Sequence, residues 1–256
     1  MSASRAVLAP LVRPARVTDA AAISGIYCAT LGAGYTTPSA IAHSVAEASG
    51  LQSRSRTCWF VAECATERPT GQSAAEGSTR QPATAARVVG LMMRSVVGAA
   101  NALWVTREEL PALGMPGFED VPPQLLTLAP KAARFGLLEN LGVLPAHRGG
   151  GIGTALTQAR LRWFATQEVG FAYSFAWHTP AGCPAESTLR RAGFRFVREL
   201  PDFYLEDGLA NGYACPWCGP ACHCSARLFV RELDGPPRDT DQDDRDRSAR
   251  REEGGR

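Results

Sequence analysis

The run Leu141-Gly-Val-Leu-Pro-Ala-His-Arg-Gly-Gly-Gly-Ile-Gly-Thr-Ala-Leu156 passes from an apolar strand pattern through a glycine turn straight into an amphipathic helix. Gly149, Gly150, Gly151 and Gly153 allow backbone angles that aim successive N–H groups at one point. The helix that follows adds the partial positive charge of its N-terminus. This is the pattern of a phosphate cradle. The lysine of a Gly-x-x-x-x-Gly-Lys-Ser/Thr loop is missing, because Gly153 precedes Thr154, and the third glycine of a dinucleotide fingerprint would have to stand at 154. A ligand-free strand-to-helix turn also uses glycine. The ordered flanks, Val143-x-Pro145, then Arg148, then spaced glycines and a helix, favour a ligand.

A second group of reactive residues is Cys215-Pro-Trp-Cys218-Gly-Pro-Ala-Cys222-His-Cys224, which holds four of the eight cysteines. Cys-Pro-x-Cys-Gly is the form of a zinc knuckle, whose turn directs two thiolates to one ion, and Cys222 and Cys224 complete a tetrahedral sulfur set. The span is short for four ligands, and His223 is an alternative ligand. Disulfides, unmetallated thiols and an iron–sulfur centre remain open. Closed coordination of this kind would brace the chain and would not activate water. Cys28, Cys58, Cys64 and Cys183 are scattered and read as small core residues.

The elements that must position these groups follow from periodicity and punctuation. Residues 9–16 predict a strand, and Thr18-Asp19 caps a helix through Ala29 with Ala22, Ile23, Ile26 and Tyr27 on one side. A helix is predicted over 38–48 and strands over 58–64, 87–97 and 137–143. The glycine-loop helix runs from about Gly151 to Gln167 with Ile152, Ala155, Leu156, Ala159 and Trp163 at helical spacing. A strand at 171–177, a helix at 185–191 ended by Gly193, and strands at 194–199 and 227–233 complete the order. The result is a mixed sheet covered by helices. Three stretches stand apart. Residues 65–86 carry almost no large apolar residue. In 99–136, Leu103, Trp104, Val105, Leu110 and Phe118 are interrupted by Pro111, Pro116, Pro122, Pro123 and Pro130, which predicts an irregular, partly packed insertion. The tail 234–256 mixes Asp and Arg without core-forming residues and reads as disordered.

Composition narrows the partners. Formal net charge is +2 over 256 residues, and Lys131 is the only lysine. No basic patch suited to a nucleic-acid surface is visible, and no apolar run reaches membrane-spanning length. The expectation is a cytoplasmic protein, monomer or homodimer, with one folded domain at 1–210 interrupted at 65–86 and 99–136. A cysteine-rich hairpin at 211–233 would close that domain.

Arg148-x-x-Gly151-x-Gly153 after Val143-x-Pro145 resembles the acetyl-coenzyme A loop of the GCN5-related N-acetyltransferase (GNAT) superfamily. The short helix before Gly193-Phe194 is similar to the end of that fold, so the resemblance spans roughly 10–210 outside the two interruptions. It implies an α/β fold whose mostly antiparallel sheet contains one splayed parallel pair, here 137–143 and 171–177. It further implies acetyl-CoA held with Leu141, Gly142 and Val143 along the pantetheine arm and against the thioester carbonyl. The N–H groups of Gly149, Gly150, Gly151, Ile152, Gly153 and Thr154 would lie on the pyrophosphate, and Arg148 either contacts phosphate or stays solvated. The implied reaction is direct acetyl transfer to an amine, a small molecule or a peptide N-terminus, in a ternary complex. A base is then needed. Glu139, in an otherwise apolar strand and alternating with Leu141 and Val143, is the first candidate, and His178 beyond the opposing strand is the second. Many family members place a tyrosine acid where this chain has Leu189. Tyr204 is a candidate replacement or else a packed aromatic. A non-catalytic acyl-CoA-binding module and a zinc-knuckle docking protein are the rival readings.

Overall fold

A computed structural model of the chain describes residues 10–50, 55–66, 93–113 and 115–233. Aromatic and β-branched residues build its strands. In β2 (Thr57–Thr66), Trp59 and Val61 face one side while Cys58, Phe60 and Ala62 face the other. The partner strand β3 (Met93–Thr106) alternates in the same way. The remaining strands are β1 (Leu11–Pro14), β4 (Arg134–Val143), β5 (Phe171–His178), β6 (Arg195–Leu200) and β7 (Ser225–Glu232). The sheet has seven strands in the order β1-β2-β3-β4-β5-β7-β6. Every neighbouring pair is antiparallel except β4 and β5, which are parallel.

Helices cover both faces. One face carries α4 (Ile152–Thr166) and α5 (Glu186–Arg191), with Leu156, Leu161, Phe164 and Leu189 packed on Ala100, Ala102 and Leu138. The other carries α1 (Ala20–Thr30) and α2 (Pro38–Gly50) over Trp59, Val61 and Ala99, and α3 (Val121–Leu128) over Phe135, Phe171 and Leu228. Because 99, 101, 103 and 105 share one side of β3, α1 and α3 cover two ends of the same face. Gly142 lets α1 come close, since a Cβ there would lie 2.6 Å from Thr30 Oγ1.

Several sequence expectations change. Residues 99–106, expected to be irregular, are the second half of β3, and the strand predicted over 87–97 begins at Met93 and runs to Thr106. All five prolines of the segment lie beyond Thr106 and interrupt nothing before it. The insertion proper is 107–133, and Pro122 and Pro123 sit in the first turn of α3, where proline is tolerated. Asp19 precedes α1 without capping it, because Arg13 draws its carboxylate away at 2.7 and 3.0 Å. The hairpin expected at 211–233 shares the main sheet: β7 lies between β5 and β6, with Leu228, Phe229 and Val230 fully buried. A further helix, α6 (Leu205–Asn211), precedes the cysteines. Ala65 and Thr66 end β2, whereas 67–92 and 234–256 lie outside the described residues.

Candidate active site

The glycine loop is exposed and open. Gly149 and Gly151 adopt φ of +80° and +78°, left-handed angles at which an L side chain is strained, and a Cβ on either would meet nothing within 4 Å. Gly151 ends the turn as N-cap of α4. The N–H groups of Ile152, Gly153 and Thr154 lie in the first turn of α4, before any intrahelical acceptor is available; the first bond back is Ala155 N–H to Gly151 O at 2.9 Å. Arg148 is folded back by Nε donating to Val143 O at 3.1 Å, which leaves its terminal N–H groups for another acceptor.

From the loop, β4 leads into the sheet beside a gap. The parallel pairing of β4 with β5 covers only Phe135–Leu137 against Phe171–Tyr173, after which Ser174 Oγ donates to Leu138 O at 3.0 Å and the ladder stops. Just past the end of β4, Leu144 N–H goes to Val97 O at 2.9 Å, and on β4 Asn140 N–H goes to Asn101 Oδ1 at 3.1 Å, both toward β3. The alternate N–H groups, those of Leu141 and Val143, therefore face the open side.

A bulge marks the centre of this edge. Between Ala100↔Leu141 and Ala102↔Leu138, two residues of β4, Glu139 and Asn140, stand opposite Asn101 alone. The bulge resets the alternation expected of β4. Leu141 and Val143 join Leu138 on the α4 side, while Glu139 turns to the opposite face, where Asn101 Nδ2 donates to its Oε2 and Tyr27 OH donates to Asn101 Oδ1 at 3.2 Å. Glu139 is exposed to solvent, yet neighbouring protein crowds its carboxyl. That crowding pushes its carboxyl above the ordinary range, against the opposing pull of Asn101 and the Arg160 charge. Arg160 is buried beneath the bulge. Its guanidinium donates to Asn101 O at 3.2 Å, Asn140 O at 3.3 Å and Thr157 Oγ1 at 3.2 Å, and burial lowers its pKa to about 10, so it stays charged at neutral pH.

Residues 92–194 match the model of the acetyltransferase (GNAT) family. This region is a GNAT acetyltransferase domain. Solved structures agree at the level of fold. Arabidopsis thaliana NAA60 in complex with acetyl-CoA shares 17% identity over 89% of this chain and 100% of its own, with TM-score 0.54. A phosphinothricin acetyltransferase from Sinorhizobium meliloti, also with acetyl-CoA, shares 14% over 90% and 91%, with TM-score 0.51. The ribosomal-protein-S5-alanine acetyltransferase of Vibrio fischeri shares 12% over 87% and 92%, again at 0.51. No curated protein matches the sequence. No helix among the described residues is long and apolar enough to cross a membrane.

The fold distributes the other expected site residues unevenly. His178 Nδ1 lies 2.8 Å from Glu199 Oε1 and 3.2 Å from Ser225 Oγ, in a polar cluster at the β5–β7–β6 edge. None of its described contacts reaches Glu139. Tyr204 OH donates to Phe175 O at 3.2 Å, and burial raises its pKa well above the ordinary phenol value. Leu189 is a buried core residue with no proton to give. The four cysteines do converge: all four Sγ atoms lie within 4.8 Å of one another, with Cys218–Cys224 at 3.5 Å and Cys215–Cys224 at 3.9 Å. His223 turns out of the cluster to Asp202 at 2.9 Å.

Asn101, Tyr35, Asn140 and Arg160 were not singled out from sequence, and Tyr27 was read only as part of the apolar side of its helix. Two signals stood in view. Asn101 is the one polar residue in the run 96–105, and Arg160 occupies the apolar stripe Leu156–Arg160–Phe164 at i, i+4, i+8, where a surface arginine does not belong.

Proposed function

We propose that this protein transfers the acetyl group of acetyl-CoA directly to an amine, with Glu139 as the proton acceptor. The observation that carries the reading is one stretch of chain that offers the N–H groups of Leu141 and Val143 at the splay and the first-turn N–H groups Ile152–Thr154 after the glycine loop, with the crowded Glu139 carboxylate two residues before Leu141. Backbone N–H groups at a helix start, behind the exposed Gly149–Gly151, suit a pyrophosphate, and a Cβ at Gly149 or Gly151 would meet nothing within 4 Å. Arg148 adds a charge-assisted contact from its terminal N–H groups.

At the splay, the N–H groups of Leu141 and Val143 suit the two jobs of lining the pantetheine arm and stabilising negative charge on the thioester oxygen. Glu139 takes a proton from the incoming ammonium, leaving a neutral nitrogen to attack the carbonyl carbon. The C–N bond forms, the C–S bond breaks, and the second nitrogen proton ends on the coenzyme A sulfur. A thiol of pKa about 8.5 leaves as thiolate at modest cost, so a buried Leu189 in place of an acid does not forbid the reaction. Tyr204, committed to Phe175 O, reads as a packing residue.

We assign the four cysteines to one structural zinc ion. A tetrahedral site with Zn–S of about 2.3 Å has S···S edges of about 3.8 Å, close to the spacings seen. The buried Leu189 is also what favours a second reading, a module that binds acyl-CoA without turning it over. A thiol-release assay with a panel of amines, run beside calorimetry with acetyl-CoA, separates the two: release above the amine-free rate supports transfer, whereas binding with no release for any amine supports the module.

A further inference from the structure

Granting that the opening beside Glu139 receives the amine, we propose that zinc bound by Cys215, Cys218, Cys222 and Cys224 fixes the wall of that opening. Metal loading then governs use of the amine and leaves acetyl-CoA binding alone.

The knuckle is a built site. Cys215 and Gly219 exchange both backbone hydrogen bonds at 2.9 Å, and the N–H of Trp217 donates to Cys215 Sγ at 3.4 Å, so the turn that presents the first two thiols is closed by its own backbone. Cys215, Cys222 and Cys224 are buried, and the shortest S···S distance, 3.5 Å, is far from the roughly 2.05 Å of a disulfide. Four thiols held this near one another, with no bond between them, gain a common bonding partner only from a soft cation.

Its position gives the ion leverage. Immediately before Cys215, Ala214 N–H donates to Ala33 O at 3.0 Å, and the ring of Tyr213 packs edge-on to Tyr35 at 5.2 Å. The Tyr35 hydroxyl reaches Asn140 Oδ1 at 2.7 Å, on the bulge residue next to Glu139. Tyr35 also packs at 6.2 Å from Tyr27, whose hydroxyl holds Asn101. From the other side, Trp177 and Tyr204 pack on the cysteines, and Tyr204 OH anchors to Phe175 of β5. The loop between α1 and α2 and the part of β5 beyond its pairing with β4 are thus both pinned to one knuckle. The glycine loop shares no described contact with it. Losing the ion would loosen Tyr213–Ala214, then Gly32–Tyr35, and so the setting of Asn140 and Glu139.

The test uses the full chain. Purified protein should contain about one zinc per chain, and cobalt(II) loaded in its place should show the intense thiolate charge-transfer and tetrahedral bands of a sulfur site. Chelated wild type and Cys218→Ser should bind acetyl-CoA within twofold of the loaded protein, while KM for the amine rises about tenfold or more. Hydrogen exchange at residues 31–36 should quicken in step, a readout that needs no turnover. Tyr213→Ala retains all four thiols, so it should keep the metal and still raise KM for the amine, which covers the case in which Cys218→Ser fails to fold. Metal-free protein with protected 31–36 overturns the site. A loaded site whose removal leaves both exchange and KM unchanged overturns the clamp, as does loss of acetyl-CoA affinity equal to the loss for amine. If no amine is acetylated, the reading of the reaction fails, while metal content and exchange still decide this one.

Discussion

The two ends of the cleft are made of different material. At the loop end, every group proposed to touch acetyl-CoA is backbone, apart from Arg148, and all of it comes from residues 141–154. At the end proposed to take the amine, every group is a side chain, and the set is assembled from β3 (Asn101), α1 and the loop after it (Tyr27, Tyr35), the β4 bulge (Glu139, Asn140), α4 (Arg160) and the residue before the knuckle (Tyr213). A backbone cradle depends on local torsions and is indifferent to most neighbours. A side-chain cradle depends on the register of the whole sheet. The first therefore suits a cosubstrate of fixed chemistry, and the second gives an acceptor pocket many positions at which to vary.

The largest effect should come from breaking the loop end alone. Gly151→Asp places a side chain on a residue at φ +78° and a carboxylate where phosphate oxygens should rest, and Gly153→Asp adds the charge at a position where a Cβ would make only ordinary contacts, 3.7 Å from Thr188 Oγ1. Both should reduce acetyl-CoA affinity by more than about 100-fold in calorimetry, with the fold intact for the second. Unchanged affinity in folded Gly153→Asp would refute the assignment of this loop.

Glu139→Gln probes the amine end. It keeps shape and the acceptor for Asn101 while removing the base, so turnover should fall by about 10²–10⁴ with acetyl-CoA affinity kept. If Glu139 is the base, activity of the unaltered protein should rise with pH through the elevated Glu139 pKa, since the carboxylate is the working form, and that limb should vanish in the variant. Stability has the opposite sign. With the folded pKa raised above the unfolded value, the contribution of Glu139 to stability is present at low pH and is lost as pH rises through the folded pKa, so Glu139→Gln should melt no lower than wild type at alkaline pH. A rate and pH profile that stay as they were would move the role to His178 or to solvent.

This contrast also decides what could be read before the fold was known. Strand, turn, glycines and helix are neighbours in the chain, and their chemistry shows in fourteen consecutive residues. The parallel pair came only with the resemblance to the acetyltransferase family, because the residues of two strands do not by themselves fix their relative direction. The bulge is different in kind. Nothing in Leu-Glu-Asn-Leu announces that one residue of β4 is unpaired; only the registers Ala100↔Leu141 and Ala102↔Leu138 reveal it. Strict alternation put Glu139 on the side of Leu141 and Val143, and the extra residue moved it across. Asn101 was lost because the prolines after Thr106 coloured the reading of the apolar stretch before them.

Asn101→Ala sharpens the point, because it attacks the amine end without touching the base. Asn140 N–H loses its acceptor at the bulge and Glu139 loses a donor that holds its pKa down. The acid limb of the rate profile should move to higher pH, turnover at neutral pH should drop about tenfold, and stability should fall by about 1–3 kcal/mol for the orphaned amide. Acetyl-CoA affinity should hold. A stability loss with no movement of the limb would make Asn101 a strand residue and nothing more.

The smallest effect is expected at Tyr204. The absent family acid leaves this phenol as the nearest replacement in sequence, yet its hydroxyl is spent on Phe175 O at 3.2 Å, its ring is wedged between Phe203 and the cysteine cluster, and burial makes its proton harder to release. A proton donor to the departing sulfur would need a free hydroxyl, and that of Tyr204 is engaged on β5. Tyr204→Phe should therefore change turnover by no more than about threefold, at the cost of about 1 kcal/mol for the lost hydrogen bond. The alkaline side of the rate profile is the discriminating measurement. A profile unchanged there leaves the thiolate to depart unaided, as its own pKa allows, whereas a drop of about 100-fold with loss of an alkaline limb would make Tyr204 the acid and carry the chemistry of the amine end over to the knuckle side of the cleft.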